Sequence, residues 1–347
     1  MWKTMKKNIL NLVSMKLCIL LLFLTAGSFQ FCSQSKETDK PRIVEVRKIW
    51  DKAKHNAFTD LIRFQEKWYC TFREADAHAP ASPGSREDGK IRIIVSDDGI
   101  RWQSAGLLEE EGIDLRDPKF SITADGKLMV IMGGSLYVSK DSSPEKETRI
   151  GMFSRVAFSP DGQTWPQVEK IRGKELNPDD TWLWRVTWHQ GMAYGFTKSP
   201  VRLWKSGDGI RYEAVTDSIH PEDEATLRFM PDGEMIALFR KPAAIGTSSP
   251  PYTEWKINEA GFSQLGGPNF IILPDGQMWG GSRNTKQPVK TVLARMTRNS
   301  YEMLLELPSG GDTSYPGFVW HDGFLWMSYY SSHEEKTSIY LAKIGIH

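Results

Sequence analysis

A short unit recurs six times along the 347 residues: an apolar strand, a tight turn, then a second apolar strand. The copies are spaced by 41 to 66 residues, and many of their strands are apolar on both faces. Together these observations predict an all-β protein, a six-bladed β-propeller of four-stranded antiparallel blades packed face to face. Thirteen Trp and 29 Gly suit a chain of many strands and turns. A net charge of +1 without a basic stripe argues against nucleic acid as a partner.

The first segment, 1–31, reads as an export signal. Lys3, Lys6, Lys7 and Lys16 precede the apolar run Leu17 to Leu24, and the small residues Ala26, Gly27 and Ser28 follow. That run is well short of the roughly 20 residues a bilayer requires. Cys32 then makes a lipid anchor one candidate and plain secretion the other, and 32–41 is a polar linker. The expected location is outside the cytoplasm, as a periplasmic, outer-membrane or secreted bacterial protein. Membrane contact is expected only through Cys32. Cys70 sits in an apolar strand pattern and reads as a small core residue, so no disulfide framework is indicated.

The domain is expected over 42–347. The alternating segment Arg42 to Trp50 is positioned to complete the last blade, because only 31 residues follow Pro316, few for four strands. The six blades open at FTDLIRF, DPKFSIT, LWRVTW, EATLRF, GPNFIIL and YPGFVWH. Taking Thr59, Pro118, Trp184, Ala225, Pro268 and Pro316 as equivalent sets the register between them. The strand Met235 to Phe239 has no polar alternate set, as a strand covered on both sides requires. Late in three repeats stands the pattern Ser-x-Asp-Gly-x-x-aromatic, at Ser96–Trp102, Ser159–Trp165 and Ser206–Tyr212. In such a turn Asp accepts backbone N–H bonds, Gly takes the left-handed position and the aromatic packs beneath.

Three arginines share one position counted from the hairpin turns: Arg73, Arg240 and Arg283 each follow a turn residue by six. In a ring, one register is one height, so three guanidiniums are expected to converge on an anion. Lys198 takes the corresponding place in the third blade.

The Ser-x-Asp-Gly turns resemble the Asp-box, or BNR, repeats of the sialidase superfamily, whose catalytic domains are six-bladed propellers. The resemblance covers nearly all of 42–347. It implies a carboxylate clamp of three arginines, two of which Arg240 and Arg283 match. The first arginine of the family begins an Arg-Ile-Pro sequence, where this chain has Ala57, Phe58 and Thr59, so Arg73 stands in as its replacement. It further implies a nucleophilic Tyr, matched by Tyr315, with Glu224 as its base. Neighbouring arginines are expected to favour the phenolate.

Asp117, beside Arg116 and Pro118, resembles the family's Asp-Pro substrate contact. The family's acid/base lies in the loop after the first blade's second strand. Here 74–89 offers Glu74, Asp76, His78, Glu87 and Asp88, of which Asp76 is the first choice and His78 its competitor. Trp184 and Arg185, with Trp182, are placed to meet a sugar ring. His55, His189 and His321 form no metal-ligand spacing and read as structural, so neither metal nor cofactor is called for.

The leading expectation is an exported exo-glycosidase acting on a terminal acidic sugar, sialic or uronic, with a glycan as its partner. A polysaccharide lyase acting on uronides and a non-catalytic glycan-binding surface lipoprotein remain open, as does the oligomeric state.

Overall fold

The computed structural model describes residues 40–80, 88–140, 143–177, 179–220 and 222–346. Segment 1–31, expected to be an export signal, Cys32 and nearly all of 32–41 lie outside the described residues. From Arg42 to Gly345 the chain forms six sheets, antiparallel but for the short parallel pairing of Asp180–Thr181 with Met152 and Phe153, and no helix occurs among the described residues.

Blade one is built of His55–Phe64, Lys67–Ala75, Lys90–Ser96 and Gln103–Leu108. Blade two is built of Asp114–Ile122, Leu128–Lys140 and Ser143–Ser159, with the short strands Glu169–Lys170 and Asp180–Thr181 along its outer edge. Blades three, four and five begin at Leu183–His189, Glu222–Phe229 and Gly266–Ile272 and each has four strands. Blade six takes Thr313–His321, Phe324–Ser331 and Ser338–Gly345 from the end of the chain. Its fourth strand is Arg42–Trp50, paired antiparallel from Arg42 opposite Gly345 to Trp50 opposite Ile339. The N-terminal strand therefore closes the last blade, as its alternation predicts.

The hydrophobic core is divided into six clusters, each lying between one blade and the next. Strand Met235–Lys241 shows why both faces had to be apolar. Met235, Ala237 and Phe239 pack toward blade three, whereas Ile236 and Leu238 pack toward blade five. A strand polar on either set would bury unpaired polar groups.

The Ser-x-Asp-Gly turns are closed as their chemistry requires. Asp98 Oδ1 accepts from the N–H groups of Ile100 and Arg101, both at 2.9 Å, and Trp102 Nε1 donates to Gly99 O at 3.2 Å. Asp161 does the same with Gln163 and Thr164, and Trp165 with Gly162. Those backbone donors hold the Asp98 and Asp161 carboxyls well below the ordinary carboxylate range. Ser96 pairs across the sheet with Trp68, next to the first hairpin turn, so these turns lie at the hairpin end of the ring.

The opposite end carries a repeated irregularity. Every innermost strand has a two-residue bulge at one height: 58–59, 117–118, 184–185, 223–224, 267–268 and 315–316. Five of the six first positions have positive φ: Phe58 at 65°, Asp117 at 52°, Asp223 at 85°, Gly267 at 62° and Tyr315 at 52°. The left-handed region is costly for residues other than Gly, and such strain collects at sites where side chains must be re-aimed. The bulges also correct the register read from sequence. Arg185 and Glu224, rather than Trp184 and Ala225, are the equivalents of Thr59, Pro118, Pro268 and Pro316.

Because both faces of Met235–Lys241 are core, Phe239→Ala and Leu238→Ala should each cost stability, about 3–5 and 2–5 kcal/mol respectively. Chemical denaturation would measure both. A near-neutral result for either would show that its face is not packed between blades.

Candidate active site

The bulges gather the site at the end of the ring where the innermost strands begin. Tyr315 occupies the first bulge position of blade six and lies over Gly267, where any Cβ would fall 2.6 Å from its ring. Phe58 meets it edge-on at 5.1 Å between centroids, and Trp184 lies 5.9 Å away. Fixing the ring in this way aims the hydroxyl at blade four. There Tyr315 Oη donates to Glu224 Oε1 at 2.8 Å.

Glu224 is only 1% exposed, so its charge needs partners. The same Oε1 accepts from Arg240 Nη1 at 2.6 Å and lies 3.3 Å from Lys198 Nζ. Its other oxygen, Oε2, is buried without a protein partner among the described residues. Asp223, the first bulge residue of blade four, adds charge pairs to Lys198 at 3.2 Å and Arg240 at 3.4 Å. Burial would lower the affinity of Arg240 for its proton, but Glu224, Tyr315 and Asp223 raise it above the ordinary value.

Tyr315 departs from the expectation drawn from its arginines. Its pKa is raised well above the usual phenol value, first by burial and then by the Glu224 and Asp117 charges, with Arg240 opposing. The resting group is therefore a neutral phenol hydrogen-bonded to Glu224, and of the three arginines Arg240 alone serves that side chain.

The three arginines do not converge. Arg73 is 0% exposed; its Nε and Nη2 bond Asp114 Oδ1 at 2.9 and 2.5 Å, and Nη1 bonds Ala77 O at 2.7 Å. It is spent on joining blades one and two. Arg73 pairs across the ladder with Ala57 and Arg283 with Gly266, just before each bulge, but in blade four that place belongs to Lys241. Arg240 is thus one residue out of register, and one residue reverses the face of a strand side chain. Counting from the turns hid this, since the turn holds two residues in blade one and five in blades four and five, and the ladder from turn to bulge holds five pairs in blades one and four but four in blade five.

Arg283 is half-buried, with Nη1 3.4 Å from Thr313 O. A further cation in this region is Arg116, whose guanidinium lies 5.2 Å from the Phe58 ring and bonds Asp117 Oδ2 at 3.1 Å. Asp117 is 3% exposed at its bulge. Arg185 points into the ring's centre and is paired with Asp60 at 2.8 Å. Asp76 is half-buried just beyond strand Lys67–Ala75, and Glu74 accepts from Trp50 and Arg92 between blades. Glu87 lies outside the described residues, and Asp88 is half-buried.

Sequence reasoning missed Lys119, which is 2% exposed beneath the site, with Nζ 5.5 Å from the Tyr315 ring and 5.4 Å from Trp184. Burial and the nearby Arg185 push its pKa down to about 8, against the Asp117, Asp60 and Glu224 charges. It also missed Asp312. That carboxylate accepts from His55 Nε2 at 3.0 Å, His78 Nδ1 at 2.7 Å and Tyr330 Oη at 2.8 Å. His55, His78 and Asp312 place ligand atoms within 4.8 Å of one another, the one such set of metal-type donors among the described residues. Burial alone would raise the Asp312 pKa, yet these three donors hold it well below the carboxylate range, while burial keeps His55 below the imidazole range.

No family model matches the chain, and no curated protein sequence matches it. Solved structures do. A protein of unknown function from Dyadobacter fermentans superposes with a TM-score of 0.72 at 18% identity, over 89% of this chain and 100% of that one. Trypanosoma rangeli sialidase in complex with the inhibitor DANA gives a TM-score of 0.63 at 10% identity, over 87% of this chain and 58% of its own. The α-L-arabinanase of Penicillium chrysogenum gives 0.61 at 12% identity, over 87% and 98%. The chain has the fold of the propeller glycosidases. It thus spans a little over half the length of the sialidase.

Two tests follow from the charges. Arg73→Ala leaves buried Asp114 with only the Gly89 N–H and a longer ion pair to Arg116 at 3.7 Å, and should cost about 3–5 kcal/mol in denaturation; a cost near zero would place Arg73 outside the core. For Asp312, a folded pKa below the unfolded value of about 3.9 means its stabilisation is full above that value and is lost as pH falls through the folded one. The stability gap between the protein and Asp312→Asn should therefore be constant above about pH 5 and narrow below about pH 4. Melting temperatures across that range would check the sign.

Proposed function

We propose that the protein is an exported glycosidase that cleaves a terminal acidic sugar, with Tyr315 as nucleophile and Glu224 as its base. One observation carries this reading: a strained Tyr hydroxyl donates at 2.8 Å to a carboxylate that is itself almost wholly buried. A phenol with a raised pKa is a poor nucleophile until its proton leaves, and Glu224 is the group in place to take it. As the proton moves, Arg240 and Lys198 lose part of their carboxylate partner and lie near the new phenolate; Arg240 Nη1 is already 3.4 Å from Tyr315 Oη. A tyrosine nucleophile is a recognised exception to the two-carboxylate scheme of glycoside hydrolysis.

The same cations favour an anionic sugar. Arg240 Nη1 lies 3.4 Å from Tyr315 Oη, Arg283 reaches the carbonyl of Thr313 two residues before it, and Arg116 approaches over Phe58. Arg240 is shared with Glu224, so the carboxylate clamp consists chiefly of Arg283 and Arg116, with Arg240 linking clamp and nucleophile. Asp117 and the free Oε2 of Glu224 supply acceptors for sugar hydroxyls. Trp184, and Lys198 over Trp182 at 4.4 Å, border the site toward blade three. The charge and apolar pattern of 1–31, with Cys32 as anchor or passed over, supports a substrate met outside the cytoplasm.

A panel of 4-methylumbelliferyl sialosides and uronides tests the reading. Turnover of at least one substrate is expected, with a loss of about 10³-fold or more in Tyr315→Phe and Glu224→Gln, and a raised KM in Arg283→Ala. Unchanged turnover in Tyr315→Phe would refute the nucleophile. An unsaturated, ultraviolet-absorbing product from uronides would replace hydrolysis by elimination, and saturable binding without turnover would leave a glycan-binding protein.

A further inference from the structure

We infer that His78 is the residue that exchanges the proton with the leaving oxygen, acting through Nε2, and that Asp312 positions it. This rests on the glycosidase reading above and departs from the aspartate expected there. An ionised carboxylate only accepts hydrogen bonds, so the Nδ1 that faces Asp312 Oδ2 at 2.7 Å carries hydrogen. That leaves Nε2 as the ring's titrating atom, on a side chain that is 51% exposed.

Asp312 cannot turn away to release the ring. Tyr330 holds its other oxygen at 2.8 Å, His55 shares the first at 3.0 Å, and its own N–H is fixed to Ser332 Oγ at 2.7 Å. The carboxylate oxygen already lies within bonding distance of both imidazoles, an arrangement of two donors on one acceptor. Asp312 is also charged at working pH, since those donors outweigh its burial. The ring is placed by aromatic contact as well. It stands edge-on to Phe58 at 5.1 Å and 89°, and Phe58 meets Tyr315 on its other side at 5.1 Å. A sugar on the Tyr315 hydroxyl therefore has the nucleophile toward blade four and His78 toward blade one. The other charged and titrating groups around this corner are His55, Tyr330 and Arg73, with Arg116 over Phe58 and Arg283 beside Tyr330.

The proton balance closes. Tyr315 gives its proton to Glu224 as its oxygen bonds the anomeric carbon, and the glycosidic C–O bond breaks with its oxygen taking the Nε2 proton of imidazolium His78. Neutral His78 then takes a proton from the attacking water, and Tyr315 leaves with the proton that Glu224 returns. Asp312 stays charged throughout and keeps its hydrogen bond to Nδ1.

The test compares an alkyl glycoside with the 4-methylumbelliferyl glycoside of the same acidic sugar, because the aryl leaving group needs little protonation. In His78→Gln the alkyl substrate should lose about 10²–10⁴-fold and the aryl one less than about tenfold, and the alkaline limb of the alkyl profile should vanish. Asp312→Asn should show the same selectivity to a smaller degree. Nitrogen NMR of the imidazoles should find His78 as the Nδ1–H tautomer in the parent protein and not in Asp312→Asn. Equal losses on both substrates, an Nε2–H tautomer, a selective loss in Asp76→Asn instead, or turnover that requires an added divalent metal would each overturn the assignment. If the parent protein cleaves no acidic glycoside, the glycosidase reading falls by itself, and the tautomer still decides whether Asp312 orients His78.

Discussion

The arrangement of this propeller depends on one backbone constraint, the two-residue bulge that all six innermost strands carry at the same height. A regular strand sends successive side chains alternately into the two inter-blade layers, and both layers here are packed core. The inserted residue breaks that alternation, and the left-handed φ at Phe58, Asp117, Asp223, Gly267 and Tyr315 turns the chain so that polar groups meet at the end of the ring. The strain is offset by surroundings that admit no other choice. Phe58, at 1% exposure, is enclosed by Tyr315, His78, Tyr330 and Arg116.

Two carboxylates then divide the site. Glu224 is surrounded by two cations and a phenol, with the Tyr315 hydroxyl directed at it. Asp312 is surrounded by two imidazoles and a phenol, whose hydrogen bonds keep it charged. The first suits a base and the second suits an orienting group. For Asp312 burial opposes the charge, and the donors around it decide the outcome.

The fold was legible because its signals are local. Turn chemistry, apolar runs and the spacing of copies lie within a few residues of one another, and strand Met235–Lys241 shows its two buried faces in its composition alone. Tyr315 and Glu224 were legible through the order of the blades, although their exact equivalence was not: Asp223, not Glu224, shares the bulge position of Tyr315. The arginine register failed for a geometric reason, since turn length differs between blades one and four, the number of ladder pairs before the bulge differs between blades four and five, and one residue exchanges the faces. The His55–His78–Asp312 group was invisible because its members stand 257 and 234 residues apart across the closure of the ring.

That closure has a consequence for how the protein acquires its shape. Arg42–Trp50 finds its hydrogen-bonding partner only in Ser338–Gly345. Until Gly345 has been synthesised, blade six lacks two of its strands, and its core with blade one, which includes Trp50, Ile339 and Leu341, cannot form. Closing a loop of this length adds little entropy beyond a shorter one, but contacts so distant in sequence form late and slowly. A ribosome-bound chain would therefore hold the edges of an open ring, with unpaired strands at both ends, for nearly the whole of its synthesis. The protein's greatest exposure to aggregation falls before its last strand is made, in the interval when a chaperone matters most.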